Sequence, residues 1–292
     1  MSKLTGPAAD LIRHAVARLT EHGVTPEGVS QVLAALPYRV VFETRVAGRD
    51  CIVKVHRSKD GSSSEVAGME LARSSGARVP PVRYWEPGPP VIVVQDRVAG
   101  RPLAYAEEPE AWRDAGRQLA AMHAATTPAE FPRFDQGEAG WRQFIQTWVA
   151  EEVAEARREQ RLDEGSLTAL ETFVDEAFAA MGDRPRTMLH GDCQAEHLLV
   201  DDRLRVVAVL DFGDTGTGDP LWDIATICLW NPERLPALLE GYGRPEGLTP
   251  AEGVILQAYS VLRHLTSASW LAANGFDPSP DLASLRRMAT LV

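Results

Sequence analysis

Residues 189–223 read LHGDCQAEHLLVDDRLRVVAVLDFGDTGTGDPLWD, and the placing of two aspartates in this stretch decides the fold. Asp192 follows a short apolar run, and Asp211 closes the run VVAVL. An acid at the end of an apolar strand stands close to a hydrophobic interior, where an unpaired charge is costly. Turn formation is the plain explanation, since GD and DFG are good turn sequences. The spacing asks for more. His197 lies five positions after Asp192, and Asp211 lies nineteen positions after it. Two short strands joined by a hairpin at DDRLR would hold all three side chains at one end. Rigid backbone then fixes a base and a cation site together, as phosphoryl transfer requires.

That chemistry also needs a cation for the phosphates, and the chain upstream supplies one. Arg39 to Val46 is rich in β-branched residues, AGRD carries turn chemistry around Gly48, and CIVKVH follows as a further strand. Lys54 lies inside that strand with apolar neighbours on both sides, so it is expected to be buried and to need a partner. Glu65, near the start of a helix that runs from Ser64 to about Gly76, is placed to reach it. Val91–Val94 is another buried strand, and Gly100 breaks the pattern. Residues from about 30 to 100 thus read as a small sheet with one helix across it.

Beyond Pro102 the period changes from strand to helix. PEAWRDAGRQLAAMHAAT puts Trp112, Ala115, Leu119 and Met122 on one face. Helices are expected from Trp141 to about Arg161, from Leu167 to Met181, and from Asp223 onward. The fold class is therefore α+β and bilobal, with a small antiparallel-sheet lobe over residues 1–100 and a larger helical lobe over 101–292. A cleft between two lobes is the usual place for a ligand.

Composition narrows the partners. The 292 residues carry a formal charge of -11, and no Lys/Arg-rich run offers a nucleic-acid surface. No apolar run reaches the roughly 18 residues that span a bilayer. The first residues show helical spacing at Leu11, Ile12, Ala15, Val16 and Leu19 rather than a leader, and Cys51, Cys193 and Cys228 form no CxxC pair. A cytoplasmic protein, monomer or homodimer, is expected. The acidic stretches AEEPEAWRDAG, FDQGEAG and EEVAEARREQRLDEG would suit a cationic small molecule, or are simply solvated helix faces.

With these residues in place, the chain resembles the aminoglycoside phosphotransferase family, small-molecule kinases with a protein-kinase-like fold. The family pattern HGDxxxxN…DF/DW…GDPxxDLA is similar to HGDCQAEH…LDFGDTGTGDPLWDIA here. The likeness runs more loosely from Val40 through VIVVQDRVAGRPL and LAAMHAAT to Asp223. It implies ATP or GTP as phosphoryl donor, Mg2+, and a small-molecule hydroxyl as acceptor, an amino-sugar first and a macrolide second. By position, Asp192 would be the catalytic base, and His197 and Asp211 the metal ligands. Lys54 would hold the α- and β-phosphates with Glu65 as its ion-pair partner. Gln95, Asp96 and Val98 would form the hinge that bonds the nucleobase, with Ile52, Leu199 and Leu210 against its ring.

Two departures stand out. His197 replaces the expected Asn, as in gentamicin-modifying and macrolide kinases, and an imidazole suits Mg2+ less well than an amide. The segment AALPYRVVFE, where a phosphate-covering loop belongs, has no glycine. Gln194 also stands where protein kinases carry Lys, which fits a small acceptor better than a peptide. Three other readings remain open: a choline, ketoamine or homoserine kinase, a binding-only pseudokinase, and a zinc site from His190, Asp192, His197 and Asp211. Of the remaining side chains, His190 is expected to order the loop, His123 and Cys193 to pack, and Asp219 and Asp223 to tie down the GTGDP turn and cap the next helix.

Overall fold

The computed structural model describes residues 6–57, 62–129, 131–132 and 140–292. All of FDQGEAG except Gly140 lies outside the described residues. Helix α1 (Pro7–Glu21) precedes β1 (Gln31–Ala35), β2 (Arg39–Val46) and β3 (Arg49–His56), and then α2 (Ser62–Ser74) leads to β4 (Val82–Glu86) and β5 (Val91–Asp96). These five strands form one antiparallel sheet in the order β1-β2-β3-β5-β4. The β2–β3 hairpin turns on Ala47 and Gly48, whose φ values of 50° and 74° give a two-residue turn matched to strand twist.

Alternation along β3 sorts its side chains onto two faces. Cys51, Val53 and Val55 join Val40, Phe42, Ile92 and Val94 beneath Leu11, Ile12, Ala15 and Leu19 of α1. The helical spacing in the first residues is thus the lid of one sheet face. Ile52, Lys54 and His56 fall on the other face, towards α2. Strand β4 had no expectation attached to it. Its VRYWE pattern is half exposed throughout, as an edge strand allows, and it follows Pro80 and Pro81.

The helical part begins after β6 (Arg101–Pro102). Its helices are α3 (Pro109–His123), α4 (Gly140–Arg158), α5 (Glu164–Ala179), α6 (Leu221–Ile227), α7 (Leu235–Tyr242), α8 (Pro250–Ala273) and α9 (Ser279–Ala289). Four short strands lie between α5 and α6. β7 (Thr187–Leu189) pairs with β10 (Gly216–Gly218), and β8 (Leu198–Val200) pairs with both β6 and β9 (Val206–Val209). One large core fills this region, with Trp112, Phe178, Phe212, Trp222 and Tyr259 fully buried in it. Helices α3 and α7 touch at Gly116 and Gly241; a Cβ on Gly241 would lie 1.8 Å from the Arg113 carbonyl oxygen. No helix among the described residues is long and apolar enough to cross a membrane.

Candidate active site

The site is assembled where the sheet meets the β7–β10 region. Lys54 and Glu65 are 5% and 0% exposed, and Lys54 Nζ lies 2.5 Å from Glu65 Oε1. The same Nζ lies 2.9 Å from Asp211 Oδ1, so one ammonium joins the sheet, α2 and the end of β9. Burial alone would pull the Lys54 ammonium down; Glu65 and Asp211 outweigh it and hold the group above the usual lysine range. Burial likewise opposes charge on Asp211, but Lys54 and Arg39 keep it well below the usual carboxylate range. Asp211 adopts a left-handed conformation, φ 65° and ψ 64°, which Asp tolerates better than most residues.

Asp192 sits on the loop after β7. Gln194 Nε2 donates to its Oδ1 and Oδ2 at 2.9 and 3.2 Å, and Arg263 Nη2 on α8 donates to Oδ1 at 2.5 Å. Partial burial resists ionisation of Asp192, and Arg263, His197 and Gln194 together overcome it, leaving its pKa below the usual value. The Arg263 guanidinium also lies over the Trp222 ring, 5.3 Å from its centroid. Trp222 is itself ringed by Trp141, Trp148 and Tyr259.

Several bonds hold the Asp192 loop to the strand that ends at Asp211. His190 Nε2 donates to the Leu210 carbonyl at 2.7 Å, and Leu210 N donates to the His197 carbonyl at 2.8 Å. Burial lowers the His190 pKa and keeps it neutral, so it orders the loop as expected. Asp223 takes a different part from the one expected of it. It lies inside α6 rather than at its cap, and its carboxylate accepts from His190 N at 2.7 Å and Gly191 N at 3.0 Å. His123 Nε2 meets the same carboxylate at 3.1 Å, which explains why that histidine is buried. Asp219 does serve the start of α6, accepting from Leu221 N at 3.1 Å and pairing with Arg184 at 2.7 Å. Cys193 is fully buried, and burial pushes its thiol well up, so packing is its part.

The hinge residues are placed unevenly. Gln95 is buried and opposite Ile52 in the β3–β5 register. Asp96 directs its carboxylate to Arg83, with Nε at 2.7 Å, and its amide donates to the Pro81 carbonyl. Arg97 N is likewise taken by Asp50 O. A nucleobase here would have to use Val98 or the carbonyl oxygens. Leu199 and Leu210 are half-buried, as is Ile52, and Leu199 packs against Gly100 at the start of the β6 segment.

The side chains suit a cation shared with phosphates better than a closed metal centre. His197 Nδ1 lies 2.8 Å from the Asp192 carbonyl, which can only accept; Nδ1 therefore carries the proton and Nε2 keeps its lone pair. Mg2+ characteristically takes one or two protein ligands and completes its shell with phosphate and water. His197 Nε2 and the Asp211 carboxylate are the two groups that could hold such an ion. No group of three or more His, Cys, Asp and Glu side chains among the described residues is gathered to hold a metal alone, and His190 is committed to Leu210, so the four-residue zinc site does not form.

Two members of the site escaped the sequence reading. Arg263 had a signal: an arginine inside YSVLRHL, an apolar helix segment, is a buried charge that needs a carboxylate. Arg39, whose Nη1 lies 3.2 Å from Asp211 Oδ2, had none.

No curated protein sequence matches the chain. Its fold is similar to that of a thermostable mutant of aminoglycoside phosphotransferase APH(4)-Ia in a ternary complex with ADP and hygromycin B. That similarity has a TM-score of 0.73 at 19% identity over 95% of this chain and 96% of the other. Macrolide 2'-phosphotransferase type I gives 0.67 at 20% identity over 99% of each chain. A choline/ethanolamine kinase family protein from Mesorhizobium loti gives 0.70 at 20% over 97% of this chain and 94% of the other. The model of the phosphotransferase enzyme family matches residues 30–263, a span that takes in both the strand-borne lysine and the acid-rich loop. A match of that extent makes this chain a member of the phosphotransferase enzyme family.

Proposed function

We propose that the protein transfers the γ-phosphoryl group of ATP or GTP to a hydroxyl of a small molecule, in the cytoplasm and with Mg2+. The observation that carries this reading is the Lys54–Glu65 pair locked onto Asp211, beside a second carboxylate with its own cation. Lys54 binds phosphate oxygens, and Glu65 keeps it charged and aimed. His197 Nε2 and Asp211 hold the metal, which when bound neutralises charge developing on the transferred group. Arg263 holds Asp192 Oδ1 and Gln194 bridges both oxygens, so Oδ2 is the less engaged of the two and the one to orient the acceptor hydroxyl and take its proton. Ile52, Leu199 and Leu210 flank the nucleobase, with Gln95, Asp96 and Val98 as the hinge.

For the acceptor, an antibiotic hydroxyl is the first reading, either an amino-sugar or a macrolide. One observation favours a second reading, a metabolic alcohol of the choline, ketoamine or homoserine type, which carries fewer positive charges than an amino-sugar antibiotic. The guanidinium of Arg263 stands on the base, and a polycation would meet like charge there. The test is to incubate the protein with ATP or GTP and Mg2+ against amino-sugars, macrolides and metabolic alcohols, and to weigh each acceptor. Gain of one phosphoryl mass on any class, abolished in Asp192→Ala, is the expected result. Nucleotide hydrolysis that ignores every acceptor and survives Asp192→Ala would sink the reading.

A further inference from the structure

The glycine-free segment before β2 raises the question of what grips the triphosphate. β1 and β2 are joined by a tight turn, with Leu36 N donating to Arg39 O at 2.8 Å and Arg39 N to Leu36 O at 3.3 Å. No run of glycine amides can close over phosphates here. The turn instead places Arg39 at the first position of β2, opposite His56. Its guanidinium crosses from the sheet to Asp211, with Nη1 3.4 Å from Oδ1 and 3.2 Å from Oδ2. Its Nε is buried and has no hydrogen-bond partner. An arginine fork with one buried donor empty is under-used where it stands, because such a donor carries the full cost of its lost hydration.

Charge balance gives Arg39 a reason to move. The single negative charge of Asp211 already faces two cations, Lys54 and Arg39. A divalent cation can join that carboxylate only if one of them leaves or phosphate charge arrives. Lys54 cannot leave without stranding Glu65, which is wholly buried. Among the described residues Arg39 pairs with no carboxylate other than Asp211, and its side chain is a quarter exposed. Arg39 is therefore the cation free to be exchanged.

We infer that Arg39 is a phosphate-binding residue that does the work of the missing glycine loop. It neutralises Asp211 while no nucleotide is present. When a triphosphate enters, the planar fork of Arg39 turns to it and can bind it bidentately, which leaves Asp211 open to a metal. This rests on the nucleotide-binding reading above and extends it to a second cation on the Asp211 carboxylate.

The inference makes two predictions of opposite sign for Arg39→Met. Affinity for ATP in EDTA, measured by titration calorimetry, falls by about tenfold through loss of a charge-assisted contact. Affinity for Mn2+ alone, measured by electron paramagnetic resonance, rises because Asp211 has lost a competing cation. Arg39→Lys, a point charge without the fork, recovers part of the first effect. Metal-free wild-type protein should also bind inorganic tripolyphosphate, and more weakly as salt is raised. This last arm needs no variant, so it stands if Arg39→Met fails to fold. Unchanged ATP and Mn2+ affinities in Arg39→Met, or no tripolyphosphate binding by the wild type, would overturn the inference. Wild-type protein that binds no nucleotide at all would instead overturn the proposed function.

Discussion

On the proposed function the site has a nucleotide side and an acceptor side, and the two are built by different means. The nucleotide side is carried by strands of two sheets and the helix beside them: Lys54 on β3, its partner Glu65 on α2, and Asp211 at the end of β9. The acceptor side is carried by helices distant in sequence. Arg263 on α8 reaches Asp192 across 71 positions and lies over Trp222 of α6, whose surrounding rings come from α4 and α8. Strand ends fix direction through the ladder, so the phosphate chemistry has little freedom to vary. Helix faces fix direction only through packing, and the acceptor surface can change by substitution without disturbing the reaction.

Variants on the two sides should therefore fail differently. The largest effect is expected at Asp192, where both sides meet. Asp192→Ala should cut turnover by about 10³-fold while nucleotide affinity stays near that of the wild type, as single-turnover kinetics and calorimetry would show. A parallel loss of nucleotide binding would mean that the two sides are not separable. Next comes Lys54→Met, which leaves the buried Glu65 carboxylate unpaired and should cost about 3–5 kcal/mol in urea denaturation. The double variant Lys54→Met with Glu65→Leu should regain most of that stability and none of the nucleotide affinity. Recovery of both would show that the pair serves only the fold.

On the other side, Arg263→Met should lower kcat by about 10- to 100-fold with nucleotide affinity unchanged, and Arg263→Lys should restore part of it. Arg263 is a positioning residue for Asp192, so an effect on nucleotide binding alone would contradict that part. The smallest effect concerns the helix that carries it. At the start of α8, Thr249 and Glu252 form a capping box, and Arg244 grips Glu252 at 2.8 and 2.7 Å. The Arg244 contacts, opposed by modest burial and aided by Thr249, lower the Glu252 carboxyl to about 2. A depressed carboxylate stabilises the fold above its unfolded pKa, and that contribution disappears as pH falls through about 2. Glu252→Gln should lose about 1–2 kcal/mol at neutral pH and converge with the wild type in strong acid, with turnover unchanged.

The same contrast explains what could be read from the chain alone. Alternation in CIVKVH and the acids closing apolar runs state the nucleotide side directly, because a strand converts sequence spacing into geometry. Lys54, Glu65 and Asp211 were legible for that reason. The likeness of HGDCQAEH and GDPLWDIA to a family pattern added the rest of the loop. β4 was missed because two prolines and a half-exposed pattern obscure its period. Arg39 was missed because its partner lies 172 positions away and left no local trace, while Arg263, 71 positions from its partner, left only its place in the apolar segment YSVLRHL. The anchoring role of Asp223 was hidden in the same way, since its ligands are amides of a loop more than thirty positions upstream.

The bond from His190 to the Leu210 carbonyl has a mechanical consequence. It rivets the loop bearing Asp192 to the strand bearing Asp211, both within the helical part of the molecule. If the sheet swings outward to let a spent nucleotide go, the contacts of Lys54 and Arg39 on one carboxylate must part, along with bonds such as Val209 N to Arg78 O and Ser64 Oγ to Gly213 O. The gap between the two aspartates is untouched by that swing. On the proposed function, each cycle can then begin with Asp192 and Asp211 already held at one fixed separation.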